Sequence, residues 1–187
     1  MSDFIYLETS AYSVAKPYDI LYIESYISEI IKERNEFIDK YRLHRFEVKV
    51  LNPNKTFCEK IMNLIFQSYS DNPFESIKKK IRHIYDLHLL LEFPTITEFM
   101  YSKDFDKMIM EIIEIERIVH KNNNSWTYYP PKQALIFSEI DALRNKLSSY
   151  YNNEFKHLVY KDFPKWKDVC DSLATISKRI EVLDWRQ

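Results

Sequence analysis

The chain has 187 residues, enough for one domain or slightly more and for a real buried core. With 27 Lys and Arg against 28 Asp and Glu, the net charge is −1, so the whole molecule has no electrostatic pull toward nucleic acid or membrane, and any anion site must be a local cluster. There is no glycine, where average usage of ~7% would give about 13; this excludes a P-loop, a GxGxxG turn and any glycine-built phosphate cradle, and leaves turns to Asn, Asp, Ser and Pro.

Residues 3–9, DFIYLET, are rich in β-formers and are expected to be extended. The start of the chain has no basic segment leading into an apolar run, so no signal peptide is expected there. From Pro17-Tyr18-Asp19 onward, Ile20, Ile23, Ile27, Ile30 and Ile31 recur at helical spacing, which predicts a helix that resumes through Phe37, Ile38 and Tyr41. FEVKVL (46–51) alternates apolar Phe46, Val48 and Val50 with Glu47 and Lys49, the signature of a half-buried strand closed by Asn52-Pro53-Asn54.

Thr56-Phe57-Cys58-Glu59 has the spacing of a capping box, and Phe57, Ile61, Leu64 and Ile65 form the apolar stripe of the helix behind it. Ser70-Asp71-Asn72 breaks that helix. Asn72, Pro73 and Glu75 then supply the cap, first position and first-turn acid of another. Phe74, Ile77, Ile81, Ile84 and His88 share one face of this second helix. IYDLHLLLEF is apolar nearly all round, which predicts a buried end before Pro94. A short helix over 95–101 and a longer one over 103–120 follow. An Asn122–Asn124 break and an extended SWTYYPPK link lead to a helix near 134–153, and Phe163-Pro164 separates it from a last helix near 165–183. The fold class is α+β and mostly helical, with a small strand-bearing portion over residues 1–54 and a helical region over 55–187. No apolar stretch approaches the ~20 residues of a membrane span. Cys58 and Cys170 lie far apart within helical patterns, which predicts reduced core thiols and a cytoplasmic protein.

Three charges on the two central helices sit against apolar neighbours. A short SDNP connection predicts an antiparallel hairpin. Lys60 lies about 11 residues before the turn, or about 16 Å at ~1.5 Å per residue, and Arg82 lies as far beyond it. Asp86 is one turn past Arg82 on the same face, so Lys60, Arg82 and Asp86 are expected to converge. An ionised carboxylate among Ile84, Tyr85, Leu87 and Leu89 needs a partner. One reading is a structural ion pair with Arg82; the other is a functional site. Lys60 taken alone reads as a solvated lysine, and Glu59 as a capping residue. Lys78, Lys79 and Lys80 with Arg82 form a basic run, ordinarily a wet helix face but also a possible receiver of a phosphate backbone. His83 and His88 lack a second ligand pair, so no metal site is expected from them. Asp104 and Asp106 point to different faces of a helix.

FEVKVLNPNKTFCEKIMNLI followed by IKKKIRHIYDLHLLL resembles the later half of the AbiEii/AbiGii-type nucleotidyltransferases, toxins of type IV toxin–antitoxin and abortive-infection systems. The pattern is a strand, a Thr-x-x-Glu-Lys helix opening and an Arg-His-x-x-Asp-Leu helix, and the trailing SW…Y and LVYKDFP segments extend the likeness over nearly the whole chain. The resemblance implies that Lys60 and Arg82 contact a nucleoside triphosphate, that Asp86 is the catalytic carboxylate aiding the attacking hydroxyl, and that Mg²⁺ and an NTP are the cofactors. It also implies contacts with an acceptor RNA such as a tRNA end, for which the basic run Lys78, Lys79 and Lys80 is the candidate surface, and a cognate antitoxin as partner. The family's Gly-Gly or Gly-Ser motif and its Asp-x-Asp/Glu metal pair have no counterpart here. The expectation is therefore a C-terminal part that lacks the N-terminal catalytic half, either the product of a split or truncated gene or a free-standing remnant. Such a part would be inactive alone and completed by a neighbouring gene product. A non-enzymatic partner-binding or homodimerising module, built on an unpaired strand 46–51, and a helical RNA-binding protein are the alternatives.

Overall fold

The structure is a computed structural model that describes residues 17–33, 35–159, 162–183 and 185. The extended segment expected at 3–9 lies outside them. The chain divides into two compact units, Met1–Asn52 and Pro53–Gln187.

In the first unit, β1 (Tyr18–Ile23) pairs antiparallel with β2 (Phe46–Leu51), Tyr18 opposite Leu51 and Ile23 opposite Phe46. Strand β2 has the predicted bounds, but β1 replaces the helix expected from Pro17. The sequence YDILYI is rich in β-branched and aromatic residues, and its pairing with β2 overrides the coincidental helical spacing. Strand 46–51 is accordingly not unpaired. Between the strands lie α1 (Tyr26–Ile30) and α2 (Asn35–Tyr41). The Ser25 side chain caps α1 by accepting from the Ser28 N–H at 3.1 Å, and buried Ser28 donates its hydroxyl to the Leu43 carbonyl at 2.7 Å. Helix α2 ends with Leu43 N–H bonded to the Ile38 carbonyl at 2.9 Å and Arg42 in the left-handed region at φ 54. This is the Schellman arrangement with arginine where glycine is usual, at a steric cost of about 1–2 kcal/mol. A glycine-free chain still makes a left-handed cap, contrary to the expectation that other turn residues replace it. Ile27, Ile31, Phe37, Tyr41 and Leu43 line an apolar cavity of about 490 Å³.

The second unit is helical. Helix α3 (Pro53–Ser68) begins four residues earlier than the capping box predicts. Pro53, with its φ pre-set and no N–H to satisfy, takes a first-turn position, so Thr56 lies within the helix and Glu59 pairs instead with Lys55 at 3.7 Å. Asn72 caps α4 (Pro73–Lys79) as predicted, its side chain accepting from the Glu75 N–H at 3.5 Å. The single helix expected from Asn72 to Pro94 is two, because the backbone opens at Lys80 (φ −107, ψ 17) before α5 (Ile81–Leu91). Ile77, Ile81, Ile84 and Leu87 are buried, but Leu89 to Leu91 are only half-buried and Phe93 is exposed, so the end of α5 is not deep in the core.

Helices α6 (Pro94–Met100) and α7 (Lys103–Val119) lie where expected. The link after α7 is wound into 3-10 turns at Ser125–Tyr128 and Pro131–Gln133 rather than extended. Arg117 holds the first of these by donating to the Thr127 hydroxyl at 3.2 Å and carbonyl at 2.9 Å. The helix expected at 134–153 is interrupted at Glu139, giving α8 (Leu135–Ser138) and α9 (Ile140–Asn153). Buried Ser68 fixes the start of α8, accepting from the Ile136 N–H at 3.1 Å while donating to the Leu64 carbonyl at 2.8 Å. The last helix is α10 (Trp166–Glu181). No helix among the described residues is long and apolar enough to cross a membrane.

The core runs through α3, α5, α7 and α10, with Phe57, Ile61, Leu64, Ile84, Phe105, Ile109, Val169 and Ile176 all shielded from solvent. Cys58 and Cys170 are free, buried members of it, as predicted. Burial raises both thiols, Cys170 to about 11. Neither is a thiolate at neutral pH, so a thiol-specific reagent at pH 8 is expected to modify both only at the rate of unfolding. Fast labelling of the native chain, read by mass spectrometry, contradicts this.

Candidate functional site

Lys60 and Asp86 owe their places to the apolar stripes beside them. On α3, buried Phe57, Ile61 and Leu64 face inward and leave Lys60 on the flank of the stripe. On α5, buried Ile81, Ile84 and Leu87 do the same for Asp86. Tyr85, next along, packs its ring on Phe155 and Phe163 at 5.4 and 6.4 Å between centroids, which holds that part of α5 against the later helices.

Across this seam the Lys60 Nζ donates to Asp86 Oδ2 at 2.7 Å, and the Arg82 Nε lies 3.9 Å from the same oxygen. The three charges expected to meet do meet. Lys60 and Asp86 are 19% and 23% exposed, whereas Arg82 is 81% exposed. Lys60 is therefore no simple solvated lysine, and Arg82 is the minor partner of the carboxylate. A half-buried, charge-assisted bond of this length is stronger than a surface pair. Two cations on one carboxylate oxygen leave the cluster net positive, with an exposed guanidinium at its rim.

His83 completes the cluster, and the sequence did not single it out for this role. Burial, then the charges of Lys60 and Lys80, lower its imidazole to about 4 against a partly opposing effect of Asp86. Its Nδ1 is buried with no hydrogen-bond partner among the described residues, and so is Asn63 Oδ1 on α3. Asn63 lies three residues after Lys60 on α3, and His83 three residues before Asp86 on α5.

The basic run is less coherent. Lys78 is paired with Glu75 at 3.4 Å and lies over the Tyr150 ring at 5.2 Å, Lys79 is exposed, and Lys80 occupies the break between α4 and α5. Elsewhere, Lys55 is buried beside Glu59, whose carboxyl is raised by burial against the lowering effect of that lysine. His88 Nδ1 shares a hydrogen bond of 2.8 Å with the Ser172 hydroxyl. Of the Asp104 and Asp106 pair, Asp106 is taken by Arg179, and the two carboxylates do not act together.

Fold and site together define a mostly helical α+β protein with a small antiparallel sheet and a cation–carboxylate cluster on a pair of central helices. Residues 2–172 match the family described as nucleotidyl transferase AbiEii toxin, type IV TA system, and the chain belongs to that family. No curated protein and no solved structure matches it significantly. Membership makes this a nucleotidyltransferase-like toxin of a system that includes a cognate antitoxin.

Nucleotidyl transfer typically uses an NTP and Mg²⁺. Among the described residues, no group of three or more His, Cys, Asp or Glu side chains is arranged to hold a metal ion. The Asp86 oxygen that faces the cluster is already shared by two cations, so the residues described do not fit a resident Mg²⁺.

Proposed function

We propose that this chain supplies the NTP- and acceptor-RNA-contacting side of an AbiEii-type nucleotidyltransferase. In this reading Lys60 and Arg82 bind the triphosphate, and Asp86 orients the attacking hydroxyl. The observation that carries the reading is the meeting of ammonium, guanidinium and carboxylate on one seam, with Lys60 2.7 Å from Asp86. Phosphoryl transfer is largely a matter of positioning and of neutralising charge, and two cations beside a half-buried carboxylate suit that task. Lys78, Lys79 and Lys80 precede Arg82 along the chain and would meet the phosphates of an acceptor RNA such as a tRNA end. The work of the glycine motif and of the Asp-x-Asp pair falls to another polypeptide or segment, because the 187 residues contain no glycine and Asp106 is bound to Arg179. The protein acts in the cytoplasm, where NTP and RNA are found.

The test is direct. Incubated alone with labelled NTP, Mg²⁺ and total tRNA, the purified chain is expected to transfer no nucleotide. The neighbouring gene product, if it bears the missing motifs, should restore transfer that depends on Asp86. Strong labelling by the chain alone, lost in Asp86→Ala, overturns the division of labour but not the site.

A second reading, a non-enzymatic partner-binding or homodimerising module, is favoured by one observation. Ile20, Leu21, Tyr22, Ile23, Tyr26, Ile27, Ile30 and Phe46 are all at least 43% exposed in the first unit. Two-stranded sheets are marginal alone, and exposed apolar strands invite pairing. Light scattering that finds a monomer, unchanged by the neighbouring gene product, counts against it.

A further inference from the structure

Beside the ion pair is a histidine that the proposed mechanism does not use. His83 stands three residues before Asp86 on α5 and adjacent in sequence to Arg82. Its Nδ1 is buried with no hydrogen-bond partner among the described residues, an expensive state for a polar atom. The charged groups that act on His83 are Lys60 from α3, Lys80 from the break before α5, and Arg82 and Asp86 from α5 itself. Three cations against one carboxylate make a second buried positive charge costly, so the ring is neutral while the cluster holds only protein groups.

A polyanion reverses that balance. Placed against Lys60 and Arg82, a triphosphate brings more negative charge than the three cations can neutralise. The field at the imidazole changes sign, although its burial does not. We propose that His83 is a substrate-gated cation: it takes up a proton when a polyphosphate settles on Lys60 and Arg82, and the imidazolium so formed joins them in holding the phosphates. The proton comes from solvent, no covalent bond changes, and the ring releases it when the polyphosphate leaves. His83 is thus a phosphate-binding residue, and the inference rests on the reading of Lys60 and Arg82 as phosphate ligands.

The physical support is consistent in sign. Burial and neighbouring cations lower the free imidazole to about 4, and an anion near it restores a value in the ordinary range near ~6.5. Proton uptake on binding makes affinity rise as pH falls. Between values of about 4 and ~6.5, the linkage gives about tenfold tighter binding at pH 5.5 than at pH 7.5 from this residue alone.

The experiment uses the full chain with inorganic tripolyphosphate as the probe. Nitrogen-detected imidazole NMR at pH 6.0 is expected to find His83 neutral without the probe and protonated with it, the signal being assigned by its loss in His83→Asn or, should that variant fold poorly, His83→Gln. Because tripolyphosphate itself titrates, affinities at pH 5.5 and 7.5 are compared as a ratio between the wild type and the folded variant, with about tenfold expected. If tripolyphosphate binds in a Lys60-dependent way while His83 stays neutral and the ratio is one, the gated cation is wrong and the phosphate site stands. If neither tripolyphosphate nor ATP binds at millimolar concentration, the phosphate site itself is wrong and the inference falls with it.

Discussion

Replacing Arg179 with methionine is expected to cost the helical unit about 3–5 kcal/mol, the range found when one member of a buried, hydrogen-bonded ion pair is removed. Arg179 is 8% exposed near the end of α10. Its Nε donates to the Met100 carbonyl at 2.7 Å, one Nη reaches the Ser102 carbonyl at 3.3 Å and Asp106, and its guanidinium lies 4.9 Å from the centre of the Phe105 ring. One side chain therefore closes the end of α6, the start of α7 and the face of α10 together. Methionine keeps the aliphatic stem but leaves two carbonyls and a carboxylate short of their donor. Asp106, 39% exposed, can turn to water, whereas the Met100 carbonyl is left behind, so Asp106→Asn should cost much less than Arg179→Met. With a urea slope of about 2 kcal/mol per molar, the arginine variant should lower the midpoint by about 2 M. A loss below 1 kcal/mol would mean that water replaces the guanidinium without strain, and that the junction is not held as described.

That junction also marks the limit of what can be read from order along the chain. Arg179 and Asp106 are 73 residues apart, and nothing within either helix separates Arg179 from the exposed Lys178 beside it. Lys55 presents the same problem: a first-turn lysine after Asn-Pro-Asn gives no local sign that it is buried. Local signals located α6, α7 and α10 well, because caps and prolines act on immediate neighbours. They failed at Tyr18–Ile23, where isoleucines at helical spacing belong to a strand whose partner begins 23 residues later. They also failed at Lys80 and Glu139, where breaks occur without glycine or proline and apolar periodicity passes through undisturbed. The candidate site lay between these extremes. Counting residues back from the SDNP turn was enough to bring Lys60 level with Arg82 and Asp86, since α4 and α5 together keep the hairpin's length. His83 stayed out of view because its distinguishing property, a buried ring nitrogen with no partner among the described residues, exists only once the chain has folded.

Asp86→Asn is expected to move stability and phosphate affinity in opposite directions. In the free cluster the Asp86 carboxylate, 2.7 Å from the Lys60 ammonium, competes with any incoming phosphate for it. Asparagine keeps the shape and removes the charge. The chain loses about 1–3 kcal/mol of stability with the charged bond, while Lys60 becomes available to an anion. Even a small fraction of the Coulomb term between groups about 4 Å apart should tighten tripolyphosphate binding about tenfold, or ~1.4 kcal/mol. Lys60→Met should weaken binding and stability together, and the double variant should recover part of the stability lost, with a coupling of about 1–2 kcal/mol. In the completed enzyme, Asp86→Asn should still lower transfer by about 10²–10⁴-fold, because tighter ground-state binding of phosphate does nothing for the hydroxyl that Asp86 orients. A purely structural ion pair predicts a different pattern: lower stability in both single variants and no change of anion affinity in either. Calorimetric titration of the three variants with tripolyphosphate, beside their urea midpoints, separates the two, and unchanged affinity in Asp86→Asn would leave Lys60 and Asp86 as a strut between α3 and α5.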